Sequence, residues 1–443
     1  MTLRLYRSLL SPTRRSKYLI ACVALTVYLF ISYSASRLPS IWQDRSTQNI
    51  PISLASLSHR GDGQHQGPAG KWLAARKSSQ IQVALSSTAS SSLPPIPVII
   101  FAFNRAGNLR RTIETVLATV PDPSGLHPIF VSQDGDDAEV AQVIASYAPR
   151  ITHLRYHWPG IPGRTLRTSY LKIAGHYHFA LSEVMDHVDG HQQWGRVIML
   201  EDDFVLAPDA FSYFRRMSPL FDTDPTLYCV SAWNEYGRTP FVSSSTAVYR
   251  TDCFPGLGWM WSREIWTELQ EWTPGYWDDW LREPAQRKGR TCIYPEINRV
   301  YTFGSTGASN GRFFDVWFKD IRLNTENVDW TAVNIDHLQP PNYSAWLSEK
   351  LSAAQQVASV QAAKVEIDRE LSTDANTIAH ISEKLFTYTD LDDLTRIMES
   401  IGLIYDHKAG VPRTSYKGIV PFRYREVRIW IVRDDLALPL ADV

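Results

Sequence analysis

An uncharged, mostly apolar run extends from Tyr18 to Ser34 (YLIACVALTVYLFISYS), preceded by Arg4, Arg7, Arg14, Arg15 and Lys17; the first acidic residue is Asp44. A basic flank before such a run predicts one transmembrane helix at residues 18–34, a cytoplasmic tail at 1–17 and a translocated remainder. A cleaved signal peptide competes with that reading, because Ser34-Ala35-Ser36 resembles a small-residue cleavage site. The long basic flank and the tether-like segment that follows favour the uncleaved anchor. Residues 35–95 are Ser-rich with weak apolar periodicity and close in LSSTASSSLPPIP, which predicts a stem, since such sequence buries too little apolar surface to offset its ordering entropy.

Beyond the stem the pattern becomes regular. Val98 to Phe103 (VIIFAF) is a continuous apolar run followed by Leu109, Ile113, Val116 and Leu117 at helical spacing, a strand and then a helix. His127 to Gly135 repeats the strand and DAEVAQVIASYA the helix, and Arg196 to Asp203 (RVIMLEDD) reads as a third buried strand ending in acids. Alternation of this kind predicts an α/β fold with a mainly parallel sheet. Helical spacing returns from Trp346 to Glu370, and short strand-like runs (GIVPF, VRIWIV) follow, which predicts a smaller second subdomain from about Pro341.

Composition sharpens this picture in two places. The whole chain of 443 residues is nearly neutral, with a formal net charge of -1, which argues against a nucleic-acid-binding surface. That neutrality is a sum of unlike parts: six basic and no acidic residues through Arg37 leave 39 basic and 46 acidic ones beyond it. Four cysteines, at positions 22, 229, 253 and 292, are too few for a disulfide-dense scaffold and lack zinc-site spacing, and no glycine-rich nucleotide loop is present.

In open parallel sheets ligands gather beyond the carboxyl ends of the strands. Arg105, Asp134 and the triplet Glu201-Asp202-Asp203 all fall there. Clustered carboxylates repel unless a hard cation such as Mg²⁺ or Mn²⁺ is shared with substrate phosphates; a solvated turn is the plain alternative. Asp278 and Asp279 lie between Trp277 and Trp280, where a carboxylate beside aromatic surface suits a general base and indole faces suit sugar rings. Core tryptophans and an acidic helix start explain the same residues.

The blocks VSQDG, IAGHYHFAL, EDDFVLAPDAFSYF, LYCVSAWN, YWDDWLREPAQRKGRTCIYPE, INRVYTFGSTGASNGRFFD and GVPRTSYKGIVPF, in this order from about Ile96 to Arg428, resemble the N-acetylglucosaminyltransferase I family. The resemblance implies a GT-A fold over 96–304, a donor-covering loop and linker over 305–340 and a C-terminal subdomain over 341–443. It also implies an inverting, Mn²⁺-dependent transfer of GlcNAc from UDP-GlcNAc to the α1,3-linked mannose of Man5GlcNAc2 N-glycans, in the Golgi membrane with the catalytic part lumenal. Arg105, Asp134 and His176 would contact the uridine and diphosphate side of the donor. Asp203 would coordinate the metal, Asp202 reach the ribose and Glu201 hold the GlcNAc hydroxyls; Ala308 and Ser309 would lie in the covering loop. Asp278 would be the catalytic base.

By the same resemblance Cys229 and Cys292 would form a disulfide, and Cys253 would be a free, largely buried thiol. The chain departs from the animal enzymes where they carry a cysteine and an acid before the first-strand arginine: here stand Phe103 and Asn104. Gly135 stands where they carry a second cysteine, so both partners of one disulfide are missing together. The Val-to-Ala change at Ala308 and about four extra residues around VDGHQQWG are expected to be local. One sequon, Asn342-Tyr343-Ser344, offers a glycosylation site. An O-mannosyl glycan β-1,2-GlcNAc-transferase is the neighbouring reading, disfavoured by a short stem with no lectin-like domain. An inactive carbohydrate-binding or scaffold protein is the reading from another class, disfavoured by the joint presence of Glu201, Asp202, Asp203, Asp278 and His176.

Overall fold

The computed structural model describes residues 93–443 except 121–124, 160–167, 187–193, 272–275, 307–310, 312, 374–380, 437–439 and 441–443. The expected anchor and stem, Ala308, Ser309 and most of the VDGHQQWG insertion lie outside the described residues. Among the described residues no helix is long and apolar enough to cross a membrane.

Ten strands build the first part: β1 (Val98–Ala102), β2 (Ile129–Asp134), β3 (Ile151–Tyr156), β4 (Arg196–Glu201), β5 (Phe204–Leu206), β6 (Leu227–Ser231), β7 (Val248–Thr251), β8 (Trp259–Ser262), β9 (Thr291–Pro295) and β10 (Val300–Thr302). Eight of them form one mixed sheet in the order β3-β2-β1-β4-β8-β6-β9-β7. Its first four strands run parallel, and β8 joins antiparallel to β4.

Strand β1 is buried on both faces, and its alternate residues serve two cores. Val98, Ile100 and Ala102 pack with Leu109, Ile113 and Val116 of the helix Ala106–Thr119; Ile99 and Phe101 pack with Ala174, Tyr177 and Leu181 of the helix Thr168–Met185. The chain places β2 and β3 on one side of β1, then crosses to the other side for β4. The carboxyl ends of β1 and β4 therefore flank a topological switch point, where α/β sheets open a crevice.

The remaining strands are β11 (Gln355–Gln356), β12 (Lys384–Tyr388), β13 (His407–Lys408), β14 (Val411–Pro412), β15 (Val420–Tyr424) and β16 (Val427–Arg433). A four-stranded sheet β11-β12-β16-β15 and the hairpin β13-β14 account for all six. The helical spacing read from Trp346 to Glu370 belongs to two helices, Asn342–Ala353 and Val360–Thr373, with β11 between them. The reason is tertiary. Gln355 and Gln356 pair with Lys384 and Leu385, and the buried Lys384 ammonium finds acceptors in Gln355 Oε1 (2.6 Å) and Glu370 Oε1 (2.8 Å). Satisfying that charge outweighs local helix preference.

Cys229 and Cys292 face one another across β6 and β9 and are bonded, with Cα atoms 4.6 Å apart. Cys253 is free and buried, and burial, with the charge of Glu235, pushes its thiol up to about 11.

Glu296, just past β9, ties the two sheets together. It accepts from Arg423 Nε (2.7 Å), Arg428 Nη2 (2.6 Å), the Tyr249 hydroxyl (2.8 Å) and two backbone amides, Ser243 and Ser244. Burial alone would raise its carboxyl; the two guanidiniums overcome that and hold it down to about 2, against 4.5 ordinarily. Between these values the folded chain binds fewer protons than the unfolded one, so this stabilisation is complete above pH 4.5 and is lost as pH falls through 2. Glu296→Gln leaves Arg428 buried with its ionic partner gone and is expected to lower stability by about 3–5 kcal/mol. Denaturant midpoints measured across the acid range check both points: the variant should show a lower midpoint at neutral pH and a shallower fall in acid.

Candidate active site

Strand β4 ends at Glu201, the chain turns through Asp202 and Asp203, and β5 begins at Phe204. This turn is pinned from beneath by the Thr112 hydroxyl, which donates to Asp202 O (2.8 Å) and accepts from Phe204 N (3.0 Å). Arg105, the residue before the helix Ala106–Thr119, reaches across the switch point from the end of β1. Its Nη2 pairs with Asp202 Oδ1, its Nη1 lies 2.7 Å from Asp203 Oδ2, and Nη1 also donates to Thr306 O at 2.7 Å.

One guanidinium thus faces three clustered carboxyl groups. Burial works against the Arg105 charge, yet Asp202 and Asp203 outweigh it and raise its pKa. Asp202 is pushed up to about 6 by burial, with Arg105 pulling down and Asp203 pushing further up. Burial and the charges of Asp203 and Asp202 push Glu201 well up. Such a cluster is short of positive charge.

Antiparallel pairing of β5 with β10 sets Thr302 opposite Phe204, so the residues after β10 fold back over Asp203. Phe303 N donates to Asp203 O (2.9 Å), and Thr302 Oγ1 lies 3.5 Å from Asp203 Oδ1. Gly304 follows, and a Cβ there would stand 2.0 Å from Asp203 Oδ2. Only a residue without a side chain leaves that carboxylate its place.

The residues fit a hard divalent ion held partly by protein. The donors are carboxylate oxygens, as Mn²⁺ or Mg²⁺ prefers, and the bare Gly304 leaves room for the Asp203 carboxylate, whose Oδ2 lies 2.7 Å from Arg105 Nη1. Among the described residues no group of three His, Cys, Asp or Glu is arranged to hold a metal ion.

Tyr177 connects this cluster to the second acidic pair. Its hydroxyl donates to Glu201 Oε1 (3.2 Å), while its ring stacks on Phe101 at 3.7 Å and on Trp277 at 4.4 Å. Trp259 completes the block, 5.3 Å from Trp277. Burial raises the Tyr177 pKa first, and Glu201, Asp203 and Asp278 all add to that rise, which puts one hydroxyl within the field of both acidic groups.

Trp277 starts the short helix Trp277–Arg282 and is buried, which leaves Asp278 and Asp279 half-exposed beside it. Arg282 Nη1 holds Asp278 Oδ2 at 2.8 Å and Asp279 Oδ1 at 3.1 Å, and Lys408 of β13 approaches Asp279 Oδ1 at 3.2 Å. Asp278 is therefore oriented through one oxygen, and among the described residues nothing donates to its Oδ1. Both readings of this motif hold together: Trp277 is core, and the aspartates begin a helix.

Asp134 ends β2, and its carboxyl is raised by burial against the opposing pull of Lys172 and His157. His176 lies deeper. Its Nε2 shares a hydrogen bond with the Ser132 hydroxyl (2.8 Å), and its ring stacks on Tyr156; burial lowers it to about 3, so it is neutral. Arg105 and the triplet meet directly, Asp278 joins them through Tyr177 and Trp277, and Asp134 and His176 line the β2 side. Sequence reasoning missed Tyr177, Thr302, Gly304 and Arg282. All four stand inside the sequence blocks that carry the family resemblance, but only the fold shows what they touch.

Phe103 and Gly135, where the resemblance leads one to expect a cysteine pair, lie near one another. A Cβ built on Gly135 would lie 3.6 Å from Phe103 Cε2, and Gly135 has φ 79°.

A mannosyltransferase from Pyrobaculum calidifontis, solved in complex with GDP-Man and Mn²⁺, aligns over 46% of this chain and 55% of its own with 16% identity and a TM-score of 0.30, too remote to carry an argument. The alpha-1,3-mannosyl-glycoprotein 2-beta-N-acetylglucosaminyltransferase of Arabidopsis thaliana is 37% identical over 359 residues, 80% of this chain and 77% of the relative. The GNT-I family profile matches residues 24–440, nearly the whole length, and the chain belongs to the GNT-I family.

Proposed function

We propose that the protein is an inverting glycosyltransferase of GT-A architecture. It moves GlcNAc from UDP-GlcNAc in β1,2 linkage to the α1,3-linked mannose of Man5GlcNAc2 N-glycans, the step that opens hybrid and complex glycan synthesis. The observation that carries this reading is the switch-point cluster of Glu201, Asp202 and Asp203 against Arg105, linked by Tyr177 to the helix bearing Asp278, in a chain of this family.

Asp203 would hold Mn²⁺ together with the donor diphosphate. When bound, the metal offsets charge that grows on the departing diphosphate. Asp202 and Glu201 face the ribose and the GlcNAc hydroxyls, and Asp134 and His176 the uridine side. By the family resemblance, Ala308 and Ser309 would belong to a segment that orders over the bound donor. Asp278 accepts the proton from the mannose O2 hydroxyl as the O2–C1 bond forms and the bond from C1 to the phosphate oxygen breaks. Attack opposite the leaving group inverts the anomeric centre, so no second carboxylate acts as nucleophile.

The proposal extends to a single-pass type II protein of the Golgi membrane with its catalytic part lumenal. The basic tail before an uncharged run supports this, as does the Cys229–Cys292 bond, which persists in an oxidising compartment.

The test is transfer from UDP-GlcNAc with Mn²⁺ to Man5GlcNAc2 and, separately, to an O-mannosyl peptide. Product on the glycan alone is expected, and product only on the peptide overturns the acceptor assignment. Gly304→Ala should cut kcat/KM for the glycan about a hundredfold by displacing the Asp203 carboxylate, since an ångström-scale misplacement costs this much. Steady-state kinetics with a Mn²⁺ titration checks it; a variant with unchanged rate and metal requirement removes Gly304 from the site.

A further inference from the structure

A lone exposed phenylalanine is ordinary on a protein surface. Phe103 is singled out by where it stands. It is 50% exposed, and it follows β1 directly at the switch-point crevice. Two residues later, Arg105 grips Asp202 and Asp203, so the loop from 103 to 105 runs from an open aromatic face to the cluster assigned to the diphosphate and metal.

On the other side lies the end of β2. Gly135 has φ 79°, a left-handed conformation that suits glycine, and its amide donates to Tyr156 O at 2.8 Å. With no side chain there, the nearest neighbour of the missing Cβ is the Phe103 ring, at 3.6 Å. The ring therefore stands near the β2 turn while much of its surface stays open to solvent. Asp134, immediately before Gly135 at the end of β2, contributes a buried carboxyl to the same turn.

We propose that Phe103 is a base-stacking residue, its ring forming the platform for the uracil of the donor nucleotide. This rests on the reading of the crevice as a uridine-nucleotide site. A planar pyrimidine between the aromatic face and a polar edge is the arrangement by which proteins hold single bases, through π-stacking that needs no hydrogen bond.

Isothermal titration of the full-length protein with UDP in the presence of Mn²⁺ tests this, using three probes: UDP, its 5,6-dihydrouracil analogue with a puckered, non-aromatic ring, and inorganic pyrophosphate. Phe103→Ala should weaken UDP about tenfold and leave pyrophosphate unchanged, while Phe103→Tyr binds UDP like the parent. The parent should prefer UDP to the dihydro analogue, and Phe103→Ala should lose that preference. Unchanged UDP affinity in Phe103→Ala overturns the stacking role alone. Equal losses of UDP and pyrophosphate also overturn it, since they mean the ring only holds the loop that carries Arg105. If the parent protein binds no UDP at all, the uridine-nucleotide reading falls, and the stacking role with it.

Discussion

Asp203→Ala is expected to lower GlcNAc transfer by about a thousandfold or more, because the carboxylate assigned to the metal disappears and that stabilisation is worth several kcal/mol. The fold should survive. Asp203 sits in a turn held by the Thr112 hydroxyl and by pairing of β5 with β10, and neither device uses its side chain. Arg105 keeps Asp202 as a partner, so the guanidinium is not left alone. The measurement is transfer rate across a Mn²⁺ titration, with UDP binding and the thermal midpoint alongside. Loss of metal-dependent UDP binding with an unchanged midpoint is the expected pattern. A variant that retains more than a tenth of the parent rate would remove Asp203 from the metal site.

Asp278→Asn is expected to lower kcat by about a hundred- to ten-thousandfold, the range that a positioned general base supplies. It should leave UDP binding intact, and this contrast separates base from metal ligand. The amide can keep the hydrogen bond from Arg282 to one oxygen, so the helix Trp277–Arg282 stays in place against Tyr177 and Trp259. It cannot accept the mannose proton. Single-turnover rates with pre-bound donor make the comparison, and near-normal turnover would mean that another group takes the proton.

Much of the fold was legible in the chain because burial leaves local periodicity. The runs at Val98, His127 and Arg196 became β1, β2 and β4, with ends within about two residues of expectation. The triplet and Arg105 were legible as candidates because strand ends in parallel sheets are where ligands gather. The stretch from Trp346 to Glu370 hid its interruption for a physical reason. Its helical spacing is real on both sides of Gln355, but the interruption answers to a buried lysine on β12, and periodicity carries no trace of that partner.

The amino-acid pattern by itself determined which segments are strands and where acids stand at their ends. Only the tertiary structure decided how these meet. Antiparallel pairing of β5 with β10 laid Gly304 against Asp203, a hundred residues away in the chain. Stacking through Phe101, Tyr177 and Trp277 brought Asp278 and the triplet to bear on one hydroxyl, that of Tyr177. The turn after β2 brought Gly135 close to Phe103, so that a side chain at 135 would meet the Phe103 ring, a proximity that the sequence does not show. Periodicity reports burial within one element, whereas sheet order and close approach depend on which distant elements share a face.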